Sequence, residues 1–135
     1  MLKGVNPLLH ADLLATLCAM GHGDDLVIAD ANFPSESVAR HTTLGKVLRL
    51  DGADVPQAVR AILSVFPLDT FVDTPALRMQ VVGNATELPA IQHEVQADHL
   101  HAQGRCVDKG IQGKYGQDRA HRLRNVRAVQ PKYFP

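Results

Sequence analysis

Leu26-Val27-Ile28-Ala29-Asp30-Ala31-Asn32-Phe33-Pro34 is the stretch that decides the fold. Its four leading apolar residues are too few for a helix and too continuous for a half-exposed strand, so they read as a central strand buried on both faces. Asp30 follows at the carboxyl end of that strand, which is where open α/β sheets bind ligands. Asp30 to Pro34 is therefore expected to form a site loop.

Working outward, residues 8–20 are expected to be helical, because Leu9, Leu13, Leu17 and Met20 recur at helical spacing, with Leu14 and Cys18 widening the stripe. Pro7 suits the first turn, and Gly21 is placed to stop the helix in the left-handed conformation. The turn His22-Gly23-Asp24-Asp25 leads into the first strand. Val47-Leu48-Arg49-Leu50 reads as a second strand ended by Asp51-Gly52. Asp54 can cap a second helix with Val55, Val59, Ile62, Leu63 and Phe66 on one face, closed by Pro67. Leu77 to Val82 is expected as a third strand, and Pro89 to open a short helix through about Gln96. The fold class that follows is α/β, a central sheet flanked by helices.

The chain divides by composition near Gln96. Residues 1–96 hold eleven acidic and six basic side chains, whereas residues 97–135 hold three acidic and eight basic. The second region has only six Leu, Ile or Val, none adjacent, and no strand of normal quality is expected there. The expected organisation is an α/β domain over 1–96 and an atypical basic tail, irregular or extended, over 97–135. Over the whole chain the fourteen basic and fourteen acidic groups cancel, so net charge selects no partner. Cys18 and Cys106 make neither a disulfide framework nor a zinc site by spacing. There is no secretory h-region and no apolar run of about 20 residues, so a cytoplasmic protein with no membrane partner is expected.

Chemistry concentrates in three positions: His22 in a Gly-rich turn, Asp30 at a strand end, and Asp69 after the second helix. Histidine transfers protons in both directions near neutrality, and a nearby carboxylate can fix its tautomer or accept hydrogen bonds from sugar hydroxyls. Each also fits a plainer role: Asp30 and Asp69 as turn residues, His22 as a surface-loop histidine, Met79 as core. His99 and His101 lack a third ligand at suitable spacing, so no metal is expected. No P-loop, dinucleotide fingerprint or nucleophile motif is present.

Read in order, Leu2-Lys3-Gly4-Val5 with Pro7-Leu8-Leu9, Met20-Gly21-His22-Gly23-Asp24, Ala29-Asp30-Ala31-Asn32-Phe33-Pro34, Asp51-Gly52 with Pro56-Gln57, and Pro67-Leu68-Asp69-Thr70-Phe71-Val72 with Pro75 and Met79 resemble the L-fucose mutarotase/D-ribose pyranase family, on its fucose branch. The resemblance implies a mutarotase, an isomerase acting on L-fucose or a related monosaccharide without a cofactor. It implies His22 and Asp69 as catalytic acid/base groups, Asp30 and Met79 as substrate-binding residues, and a homo-oligomer with pockets near subunit contacts.

The last third departs from that pattern. The family's segment like Ile-Glu-Arg-Phe-x-Phe-Tyr-Glu-Arg-Ala is missing, and Tyr115-Gly116-Gln117 arrives too early to be its closing motif. With suitable codons, Ala120 to Arg127 shifted by one base can encode Arg-Ile-Asp-Phe-Val-Thr-Tyr-Glu, so a change of reading frame near residue 97 would account for the break. Two other functions follow from it: a sugar-binding member with impaired catalysis, or an anion-binding basic tail. Widely spaced Tyr115, Tyr133 and Phe134 offer poor stacking, which argues against nucleic acid as the partner.

Overall fold

The computed structural model describes residues 2–69, 71, 75–79, 81–84, 86–103 and 126–132, with side chains described outside 98–103 and 126–132. In chain order the elements are α1 (Ala11–Ala19), β1 (Asp25–Ile28), α2 (Ser35–Ala39), β2 (Leu48–Asp51), α3 (Val55–Leu63), α4 (Ala90–Gln103) and β3 (Val126–Lys132). The architecture is α/β, as the hydropathy pattern requires.

The first helix begins later than its apolar stripe. Asn6 and Leu9 close a turn first, and the His10 ring then caps α1 by accepting from the Leu13 N–H. Leu13, Thr16 and Leu17 form the buried face, and Thr16 Oγ1 is satisfied by the Asp12 carbonyl at 2.8 Å. Gly21 does not take the left-handed role expected of it. Met20 leaves the helix in an extended conformation, and Gly23 adopts the positive φ instead, at 89°. Helix α3 matches its sequence signature closely. Asp54 Oδ1 accepts from the Gln57 N–H at 2.7 Å, and Gln57 Oε1 accepts from the Asp54 N–H at 3.0 Å, a reciprocal capping box.

Among the described residues the sheet has three parallel strands in the order β1-β3-β2. Asp25 to Ile28 pair with Val126 to Val129, and Leu48 to Asp51 pair with Val129 to Lys132. Among the described residues β1 is therefore an edge of this sheet, half-buried over Leu26 to Ile28, not the doubly buried centre its apolar run suggested. The expectation of no strand beyond Gln96 is corrected in the same way: residues 126–132 form the central strand. Their sequence hides it, with Arg127, Gln130, Pro131 and Lys132 interrupting the apolar positions. Pro131 lies past Val129, where pairing to β1 has ended, so only the β2 flank is laddered there.

The third strand expected over Leu77 to Val82 does not form. Among the described residues of that segment there is only an isolated bridge between Val81 and Asn84 around Gly83, and Leu77, Met79 and Val82 are exposed. Its polar groups turn to α4: Gln92 Nε2 donates to the Met79 carbonyl at 3.1 Å, and Arg78 donates to Gln92 Oε1 at 3.1 Å. Helix α4 also runs past Gln96 to Gln103, crossing the compositional boundary without a break, and Gly104 follows it in the sequence.

The core lies between α1, β2 and α3. Leu9, Leu13 and Leu17 meet Leu48 and Leu50, with Ala53, Ala58, Ala61 and Ile62 closing the other side. Alternation along β2 buries both leucines and leaves Arg49 and Asp51 outside. Across the surface, the Lys46 ammonium hydrogen-bonds the Asp12 carboxylate at 2.9 Å and holds its pKa below the ordinary value. Cys106, Tyr115-Gly116-Gln117, Tyr133 and Phe134 lie outside the described residues, as do the side chains of His99 and His101.

Two substitutions report on this architecture by urea denaturation. Leu13→Ala, at a fully buried position, should cost about 2–5 kcal/mol. Asp54→Ala should cost about 0.5–2 kcal/mol through loss of the cap, lowering the midpoint without changing the denaturant slope.

Candidate functional site

Parallel strands share a direction, so the loops of this sheet segregate to two ends. At the amino end, Gly21 to Asp24 form a turn: the Asp24 N–H donates to the Gly21 carbonyl at 3.1 Å, and the Gly21 N–H donates to Asp24 Oδ2 at 2.9 Å. Only a residue without a Cβ takes the positive φ of Gly23 cheaply, and that conformation projects His22 from the turn. Helix α3 runs back from the carboxyl end of β2, so the connection after it returns to the same region. His22 Nδ1 and Asp69 Oδ2 are 2.7 Å apart.

Asp69 is itself anchored. Its Oδ1 accepts from the Phe71 N–H at 2.7 Å, leaving Oδ2 for the imidazole. The Phe71 ring meets the His22 ring edge-on, with centroids 6.3 Å apart and planes at 87°. A carboxylate only accepts, so hydrogen sits on Nδ1, and in the neutral form of the ring Nε2 is the acceptor. The His22 side chain is 69% exposed and that of Asp69 30%, so Nε2 faces an open surface. The pair can take a proton from a ligand and return it.

At the carboxyl end, Asp30 follows β1. Its Oδ1 accepts from the N–H groups of Asn32 at 2.9 Å and Phe33 at 3.0 Å, folding the loop into a tight turn. That turn delivers Phe33 and Pro34 to an open cavity of about 440 Å³, walled opposite by Arg40 and by Arg49 from β2. Arg49 is paired to Glu36 on α2.

The three residues singled out by sequence thus fall into two groups. His22 and Asp69 meet at the amino end of the strands. Asp30 lies beyond β1, and four strand residues, a rise of about 10 Å, separate its loop from the His22 turn. Met79 lies in the segment tied to α4 and is 53% exposed. Sequence reading had no role for Phe71, although its place two residues after Asp69 is the spacing of an Asx turn. Nor did it single out Arg40 or Arg49, whose common cavity depends on how α2 packs beside β2. Among the described residues no three His, Cys, Asp or Glu side chains are grouped to hold a metal ion, and no helix is long and apolar enough to cross a membrane.

This arrangement has relatives. The fucose mutarotase of Bos taurus is 48% identical over 82 residues, 61% of this chain and 52% of that protein. The L-fucose mutarotase of Haemophilus influenzae (strain PittGG) is 40% identical over 92 residues, 68% of this chain and 60% of that protein. The chain thus spans about half to three fifths of the length of these curated relatives. Among solved structures, FucU from Bifidobacterium longum superposes with a TM-score of 0.71 at 33% identity, covering 96% of this chain and 88% of that one. The fucose mutarotase of Streptococcus pneumoniae in complex with L-fucose gives a TM-score of 0.68 at 27% identity, covering 97% and 88%. Residues 3–114 match the profile of one family, and the chain belongs to it: the RbsD / FucU transport protein family.

Proposed function

We propose that this chain is a monosaccharide mutarotase that interconverts the α and β anomers of L-fucose or a related sugar. The observation that carries the reading is the 2.7 Å contact from His22 Nδ1 to a doubly anchored Asp69, which leaves Nε2 free to exchange a proton. The fucose mutarotase names of the sequence relatives supply the substrate class.

The chemistry needs little more. His22 Nε2 takes the proton of the anomeric hydroxyl, and the imidazolium returns a proton to the ring oxygen as the C1–O5 bond breaks. Both oxygens sit on one carbon, so a single ring nitrogen can serve them in turn. Rotation about C1–C2 and reclosure reverse the steps, and no metal, nucleotide or covalent intermediate is required. Asp69, with both oxygens engaged, acts through His22 by holding its tautomer and orientation rather than as a separate acid. Asp30 binds sugar hydroxyls, and Met79 borders the pocket.

The separation of His22 and Asp30 along β1 supports a homo-oligomer in which the proton-transfer pair of one copy faces the Asp30 loop of another. A sugar-binding protein with impaired catalysis is the second reading, favoured by the departure of the last third from the family's closing segment. Saturable L-fucose binding without faster anomer exchange would select it.

Proton magnetisation exchange between the two L-fucose anomers tests the roles. His22→Ala should lower the protein-dependent exchange rate by about 100-fold or more. Asp69→Asn should lower it about 10- to 100-fold while L-fucose affinity holds. An unchanged rate in His22→Ala would remove the proposed mechanism.

A further inference from the structure

Among the described residues Phe71 is the exposed aromatic side chain, at 91%, whereas Phe33 and Phe66 are half-buried. A single exposed apolar side chain is ordinary, so exposure alone assigns it nothing. Its place does more. The Phe71 N–H fixes Asp69 at 2.7 Å, and Asp69 holds His22 at 2.7 Å, so one short turn sets the phenyl ring beside the proton-transfer pair. The two rings meet edge-on, with centroids 6.3 Å apart and planes at 87°, which leaves most of the phenyl surface open next to the imidazole.

Sugar chemistry constrains what lies against that surface. In the proposed reaction His22 Nε2 serves both the anomeric oxygen and the ring oxygen O5. A hydrogen bond of about 2.8 Å between Nε2 and O5 leaves any carbon two bonds beyond O5 within about 5 Å of the same nitrogen. C5 is the first atom along that path, and its substituent C6 is the second. C6 is therefore held beside His22 in every pose that lets the imidazole serve O5, and Phe71 is the aromatic ring in contact with that imidazole. In L-fucose C6 is a methyl group. In L-galactose, whose ring is otherwise the same, C6 carries a hydroxyl. A phenyl face favours taking a methyl out of water, but it gives a hydroxyl no hydrogen-bond acceptor or donor of its own strength.

We propose that Phe71 is a specificity-determining residue of the His22 site, its ring seating the C6 methyl of a 6-deoxy sugar and disfavouring a C6 hydroxyl. The inference rests on the proposed anomer exchange for its ligand class, and it adds which edge of the sugar meets the proton-transfer end of the molecule. Asp30 addresses hydroxyls in the same scheme, so the two contacts fall on different parts of the sugar. The N–H that anchors Asp69 belongs to the backbone, so replacing the Phe71 side chain leaves that anchor in place.

Titration of L-fucose with the full chain, followed by the methyl proton signal of the sugar, reads the contact without requiring turnover. The ring current of a phenyl face moves a methyl above it upfield, so a saturable upfield shift is expected. It should persist in Phe71→Tyr and be lost in Phe71→Ala, whose urea midpoint should match that of the parent because the ring is exposed. In anomer exchange, the ratio of kcat/KM for L-fucose to that for L-galactose should fall about threefold or more in Phe71→Ala and hold in Phe71→Tyr. A ring that only steadied His22 would slow both sugars alike, so an unchanged ratio in Phe71→Ala would overturn the proposal. A methyl shift retained in Phe71→Ala, or no saturable binding of L-fucose, would overturn it as well. Normal anomer exchange with no Phe71-dependent shift would remove this contact and keep the mutarotase reading; a Phe71-dependent shift without faster exchange would keep the contact and remove that reading.

Discussion

The insertion of β3 between β1 and β2 is the constraint on which the rest of this structure depends. Neither β1 nor β2 pairs with the other, and both ladder onto residues 126–132, meeting at Val129. All three strands run parallel, and that single direction sorts the loops into an amino-end group and a carboxyl-end group. It places the His22 turn and the Asp69 connection at one end, and the Asp30 loop with its arginine-lined cavity at the other. The apolar weight of the fold lies elsewhere, in the leucines of α1 and β2 against the small residues of α3. The core is thus drawn from the opening half of the chain, whereas the ladder joins two strands of that half through one from its end, and β2 belongs to both.

The opening half was legible because its local signals agree. Asp54 and the apolar face from Val55 to Phe66 announce a capped helix, and Val47 to Leu50 a strand ended by Asp51-Gly52. Elsewhere one signal stood for two outcomes. The run Leu26 to Ile28 reports covered faces, but says nothing of which strand is central, and the centre went to a strand carrying proline and three polar residues. Met79 and Val81 alternate like strand residues, yet the Met79 carbonyl is satisfied by a glutamine side chain of α4 rather than by a ladder. Five-residue α2 is too short for periodicity to reveal.

The site was legible in its residue types and not in its assembly. Histidine in a glycine turn and aspartate after a helix were recognisable, and they meet. Their distance from Asp30 depends on strand direction, which no local motif encodes. The structure also changes the role proposed for Asp69. A carboxylate that spends one oxygen on the Phe71 N–H and the other on an imidazole is fixed in place, suited to orienting a base more than to carrying a proton itself.

We propose that proton transfer and sugar recognition sit at opposite ends of β1 and are joined between copies. The direct measurement is L-fucose anomer exchange in a mixture of two inactive variants, His22→Ala and Asp30→Asn, equilibrated so that subunits redistribute. Recovery of exchange above that of either variant alone is the result expected, because a mixed contact pairs an intact His22 with an intact Asp30. A mixture no faster than its parts, after exchange of subunits has been verified, would contradict the account.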